Sequence, residues 1–182
     1  MQRHVSISAM GKDRPGIVAE FSKILYQMGC NLEETSMLLL RGEFAMILIV
    51  DLPQNTPMES FTKAIEEISR RMDLTTSLRE LSASESEHRK IKPDRLYVLS
   101  VYGADKPGIV YRITDQLAKL DINITDLSTR VIESGSTQVY VMILELELNL
   151  PGQIEILPDT IEELKAELEV DMTLNSADIN EF

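Results

Sequence analysis

Cysteine and histidine are almost missing from this chain of 182 residues: Cys30 is the one thiol, and His4 and His88 are the whole histidine complement. An intrachain disulfide is therefore impossible, and the usual Cys/His zinc set falls short of its ligands. A chain of this kind is expected in the cytoplasm, without metal or cofactor. Basic side chains are in deficit, eighteen Lys and Arg against thirty Asp and Glu, for a net charge of −12. No broad cationic surface exists from which counterion release could drive direct nucleic-acid binding. Long apolar runs are missing as well. The longest, residues 44–50, is far below the roughly 18 residues that span a bilayer, and residues 1–10 alternate in polarity, unlike a signal peptide. No membrane partner is expected. What remains, 43% hydrophobic and 26% charged, is the balance of a globular protein of one domain or two small ones.

An internal repeat decides for two. Gly11-Lys12-Asp13-Arg14-Pro15-Gly16-Ile17-Val18 is matched by Gly103-Ala104-Asp105-Lys106-Pro107-Gly108-Ile109-Val110, 92 residues on. At that shift Val5, Ile7 and Ala9 fall on Tyr97, Leu99 and Val101, Ile17, Phe21, Leu25 and Met28 fall on Ile109, Ile113, Leu117 and Leu120, and Asn31 and Ser36 fall on Asn123 and Ser128. Residues 5–40 hold ten identities without a gap. A closing echo, Met72-Asp73-Leu74-Thr75 against Val170-Asp171-Met172-Thr173, sits at a shift of 98 and predicts six extra residues late in the second copy. The polar, aperiodic stretch 82–93 reads as a linker, which gives domains at 1–81 and 94–182. The halves 1–84 and 85–182 carry formal charges of −2 and −10, so the second is the acidic one.

Each half reads as strand, helix, strand, strand, helix, strand. In the first, alternating polarity over residues 3–10 gives way to an apolar stripe at Ile17, Phe21, Ile24, Leu25 and Met28, the spacing of an amphipathic helix. Two apolar runs, 32–40 and 44–52, flank Arg41-Gly42-Glu43 as a hairpin. A helix over 57–72 and a strand over 73–81 complete the half. The second half repeats the order with a helix over 107–120, strands over 123–133 and 136–148, a helix over 160–169 opened by an Asp159/Glu162 capping box, and a last strand near 171–175. This βαββαβ order predicts an α+β protein of two ferredoxin-like domains, each a four-stranded antiparallel sheet with both helices on one face. A half of about ninety residues makes only a modest core, and its bare sheet edge invites pairing with another copy, so a homodimer is expected.

The turn between the first strand and first helix concentrates the chemistry. Gly11 permits a sharp turn, Asp13 or Arg14 falls near the N-cap, Pro15 suits the first helical turn because its missing N–H would have been unpaired, and Gly16 leaves the backbone uncovered. Bare amides at a helix N-terminus attract a carboxylate. Asn31 and Asn123 begin the next strand, expected beside this loop, and a carboxamide can donate to a carboxylate and accept from an ammonium group. Together these residues suit an amino acid. A good helix start would by itself explain Asp-x-Pro-Gly; its duplication with the same spacing to Asn favours a ligand.

The pattern G-x-D-[RK]-P-G-I-V, followed after the helix by N-[LI], resembles the ACT domain, a small βαββαβ module that binds amino acids and regulates metabolic proteins. The resemblance covers both halves. Two such domains and nothing else resemble the stand-alone tandem ACT group of glycine cleavage system transcriptional repressors. It implies a ligand site at Asp13, Arg14, Pro15, Gly16, Ile17 and Asn31, and at Asp105, Lys106, Pro107, Gly108, Ile109 and Asn123. It also implies a small amino acid such as glycine or serine as ligand, a regulatory protein as partner, and side-by-side pairing of domains with the loops at the interface. Gly29-Cys30 precedes the first Asn where Asp121-Ile122 precedes the second, so the two sites need not bind the same ligand.

Other patterns are weaker. Gly11 to Gly16 has phosphate-loop spacing, but Ile17-Val18 stand where Lys and Ser or Thr are required. His4 and His88 have no counterparts in the other copy and read as surface residues, which leaves no catalytic set. Cys30, between Met28 and Leu32, reads as a half-buried small hydrophobe. Glu162, Glu163, Glu167 and Glu169 read as a solvated helix face.

Overall fold

The computed structural model describes residues 3–82, 85, 95–134 and 137–177. Two compact units emerge, Met1–His88 and Arg89–Phe182. Of the expected linker, only Ser82 and Glu85 are among the described residues, and His88 lies outside them.

In the first unit β1 (Arg3–Lys12) leads to α1 (Ile17–Gln27), β2 (Asn31–Leu40), β3 (Glu43–Leu52), α2 (Met58–Met72) and β4 (Leu74–Glu80). The strands lie in the order β2-β3-β1-β4, every neighbouring pair antiparallel. Period-two burial in the strands meets period-3.6 burial in the helices: Val5, Ile7 and Ala9 of β1 and alternate residues Phe44 to Leu52 of β3 pack with Ile17, Phe21 and Leu25 of α1 and Phe61, Ile65 and Ile68 of α2. Each large side chain buried there contributes about 1.5–3 kcal/mol. At 11 residues α1 is too short to be stable in isolation, so the core supports the helix.

The second unit repeats this with β5 (Leu96–Gly103), α3 (Ile109–Lys119), β6 (Asn123–Ser134), β7 (Thr137–Glu147), α4 (Gln153–Leu168) and β8 (Asp171–Ser176), in the order β6-β7-β5-β8. Both sheets and the two helices of each unit agree with the ferredoxin-like reading. β2 is an edge strand with all ten residues exposed, among them Met37, Leu38, Leu39 and Leu40. Leu127, Val131 and Ile132 of β6 are exposed likewise.

Strand register corrects the count of extra residues in the second copy. Gly11 pairs with Phe44 and Leu74, while Gly103 pairs with Tyr140 and has Val170 against it. The first positions are related by a shift of 92 and the others by 96, so four residues are added rather than six. They lie in the hairpin: Leu40 and Glu43 pair at the end of β2 and β3, their equivalents Ile132 and Val139 also pair, and two further pairs, Glu133 with Gln138 and Ser134 with Thr137, extend the ladder beyond them. The echo at 98 put Asp171 in the place of Asp73. The left-handed helix caps are Asp73 and Glu169 (φ 53° and 52°), again 96 apart.

The last helix also differs from expectation. It begins at Gln153, not Thr160, and carries Pro158 inside it. Asp159 and Glu162 are therefore interior helical residues, and no capping box forms. Proline ordinarily marks a boundary because it lacks an N–H and crowds the preceding turn. Here tertiary contacts prevail: Gln153, Leu157, Ile161 and Leu164 are buried along one stripe. Gln153, only 5% exposed, donates through Nε2 to the carbonyls of Leu120 (2.8 Å) and Asp121 (3.0 Å) and accepts from the Leu150 amide at 2.8 Å. That side chain ties the start of α4 to the end of α3.

Candidate functional site

The strand-to-helix loops are built on two glycines with different duties. At Gly11 and Gly103 a Cβ would lie 2.8 Å from Leu74 Cδ2 and 2.6 Å from Val170 Cγ1, so the neighbouring strand requires glycine by proximity. At Gly16 and Gly108 a Cβ would meet nothing within 4 Å, but φ is +97° and +100°, in the region that favours glycine. These left-handed residues are the N-caps. The N-cap thus falls neither at Asp13 nor at Arg14, and Pro15 and Pro107 precede the helices instead of forming their first turns. The turn made by the glycine sets the start: the Gly16 carbonyl accepts the first helical bond from the Glu20 amide at 2.9 Å, and Gly108 accepts from Arg112 at 2.9 Å.

No side chain caps either helix. The amides of Ile17, Val18 and Ala19 come before the first intrahelical donor, so they carry the positive end of the helix dipole. The Asp13 amide is not among them, since it donates to the Gly42 carbonyl at 2.8 Å. A cleft of about 590 Å³ opens at this helix end, lined by Asp13, Arg14, Pro15, Gly16, Ile17, Val18, Ala19, Met37 and Phe44. The structure thus brings together five of the six residues named in the first copy.

Asn31 stands apart. It pairs with Asp51 at one end of β3, whereas Phe44 of the cleft lies at the other end, seven residues along the same strand. At about 3.3 Å per residue this is roughly 23 Å, beyond the reach of one amino acid within the domain. The helix α1 carries the chain back along β1 before β2 begins, and this reversal puts the Asn at the far end of the sheet. Asn123 is placed likewise, opposite Glu147, to which its Nδ2 donates at 3.4 Å.

At the second loop, Lys106 is held by Glu169 at 2.5 Å, and Arg112 by Glu167 at 2.6 Å. Part of the acidic face of α4 is thereby paired, and the Lys106 ammonium holds the Glu169 carboxyl below its usual range. Tyr140 replaces Phe44. It is 8% exposed, and burial pushes its phenol up, with a hydrogen bond to Thr129 opposing and the Asp105 charge adding to the rise. Sequence reasoning missed Met37, Phe44, Thr129 and Tyr140; the motif does not contain them, and strand register across the sheet carries them to the loop.

Elsewhere, His4 is not a plain surface residue: its side chain is 14% exposed and its Nδ1 lies 3.0 Å from Glu33 Oε2. Cys30 is half-buried, and its thiol is pushed up by burial and by the Asp51 charge. Among the described residues no cluster of His, Cys, Asp and Glu could hold a metal ion, and no helix is long and apolar enough to cross a membrane.

Comparison with known proteins places this geometry. Residues 3–79 and 95–175 each match the ACT domain family. The chain is 26% identical over 158 residues to the glycine cleavage system transcriptional repressor of Escherichia coli strain K12, covering 85% of this chain and 78% of the relative. A crystal structure of an unknown protein from Galdieria sulphuraria superposes with a TM-score of 0.80 at 29% identity, covering 96% of this chain and 98% of that one. A protein provisionally assigned as a glycine cleavage system transcriptional repressor shares the fold at a TM-score of 0.71 and 23% identity, with 96% and 97% covered. With the motif, the sheet order and both family matches in agreement, this chain belongs to the ACT domain family, as two ACT domains in tandem.

Proposed function

We propose that the protein is a non-enzymatic, cytoplasmic regulator that binds small amino acids at its strand-to-helix loops and passes the bound state to a protein partner, a transcription regulator or a metabolic protein. The observation that carries this reading is the cleft beside α1, where uncapped helix amides face a space large enough for an amino acid. The amides suit the carboxylate, and Asp13 supplies an acceptor for the ammonium group. The relationship to a transcriptional repressor supports a regulatory output. Calorimetric titration against the twenty amino acids tests the proposal: heat saturating at or below millimolar concentration is expected from at least one, and none from any of them overturns it.

The apolar exposed edge of β2 favours a second reading, in which these ACT domains serve only to assemble. The two are compatible if β2 pairs with β2 of a second copy. Two-fold pairing of one edge with itself runs antiparallel, which brings the Asn31 end of one strand to the loop end of the other and gives Asn31 a place at the ligand. A strict monomer in sedimentation at tens of micromolar would remove the dimer and leave the fold untouched.

A further inference from the structure

The repeat allows the two loop sites to be compared position by position. The loop residues are the same or similar in the two copies, Arg14 becoming Lys106. The remaining lining of the first cleft is apolar: Ala19, Met37 and Phe44. Carried across by register, these become Tyr111, Thr129 and Tyr140, since Met37 pairs with Met46 as Thr129 pairs with Met142, and Phe44 pairs with Gly11 as Tyr140 pairs with Gly103. All three replacements add a hydroxyl group. Two of these side chains sit side by side on neighbouring strands, since Tyr140 pairs with Val131, two residues from Thr129, and both Thr129 and the Asp105 charge act on the Tyr140 phenol. Tyr140 also reaches Met142 Sδ at 3.8 Å.

We infer that the two sites are specialised for different side chains. The first takes an aliphatic amino acid, its side chain against Met37 and Phe44. The second takes an amino acid whose side chain hydrogen-bonds, serine or threonine, received by Thr129 and Tyr140. Met37/Phe44 and Thr129/Tyr140 are the specificity-determining pairs. The reason is complementarity: Met37 and Phe44 offer an aliphatic group apolar contact and offer a ligand hydroxyl no oxygen or nitrogen partner, whereas the hydroxyls of Thr129 and Tyr140 can each donate to and accept from one. This inference rests on the amino-acid reading above, because side-chain selection requires that the loop amides hold the common carboxylate.

The test is calorimetry on the full chain with valine, leucine, serine and threonine. The wild type is expected to bind one equivalent of an aliphatic ligand and one of a hydroxylic ligand without competition between them. The double variant Thr129→Met/Tyr140→Phe should bind two equivalents of the aliphatic ligand and lose affinity for the hydroxylic one by about tenfold or more. Met37→Thr/Phe44→Tyr should do the reverse. Circular dichroism and the melting temperature of both variants check that they fold, and the opposed directions of the two swaps separate selection from damage. Wild-type binding that both swaps leave unchanged in stoichiometry and rank would overturn the specialisation while the sensor reading stands. Absence of heat from every amino acid would overturn both.

Discussion

Gly16→Ala isolates the backbone contribution of the loop. A Cβ at Gly16 meets no atom within 4 Å, so packing and clash contribute nothing. What remains is the left-handed conformation at φ +97°, which costs an L-residue about 1–2 kcal/mol. Alanine also restricts the unfolded chain, returning about 0.4–1 kcal/mol where the native backbone suits it, and so only part of the strain is offset. The net expectation is a loss of about 1 kcal/mol. For a unit of this size each kcal/mol moves the melting temperature by about 4–8 °C. Scanning calorimetry should show that shift, with a similar one for Gly108→Ala at φ +100°. Gly16→Asn is the control, since Asn tolerates the left-handed region and should recover much of the loss. Had the glycine been helical, as the motif suggested, alanine would have been neutral or stabilising. A melting temperature unchanged or raised by Gly16→Ala would refute the reasoning.

Gly103→Ala should be worse for a different reason: its Cβ would sit 2.6 Å from Val170 Cγ1, on a stiff β-branched side chain, an overpacking cost of about 1–3 kcal/mol. Adding Val170→Ala should make the double variant lose less than the sum of the singles, in a thermal double-mutant cycle. Pro158→Ala should stabilise by about 1–3 kcal/mol by restoring an amide to the Ile154 carbonyl within α4, and urea unfolding showing no gain would place the helix start after residue 158. Cys30 should alkylate more slowly than a free thiol at pH 8, because its raised pKa keeps the thiolate scarce. Asp51→Asn should speed that reaction by removing the charge that adds to the rise, as a maleimide time course would show.

The repeat, the βαββαβ order and the family were legible in the sequence because they depend on local periodicity and on a motif contiguous in the chain. The sequence also determined where the loops lie: Asp-x-Pro-Gly stands at a strand-to-helix junction, twice. Tertiary structure decided what a linear reading cannot hold. The Asp159/Glu162 pair marked a helix start at Thr160, yet burial of Gln153 and Leu157 extended the helix seven residues before it. Asn31 follows the loop closely in sequence but lies a strand length from it, because α1 reverses the chain direction. Gly16 was visible as a glycine, but its sign of φ was not, since the same residue serves a helix interior and a left-handed cap. The side chains beside the two loops, Met37 and Phe44 against Thr129 and Tyr140, were the least legible. Met37 and Thr129 reach the loop through the pairing of β2 with β3 and of β6 with β7, Phe44 and Tyr140 through their pairing with Gly11 and Gly103, and the four-residue hairpin extension shifts the correspondence of Phe44 and Tyr140 in the linear sequence.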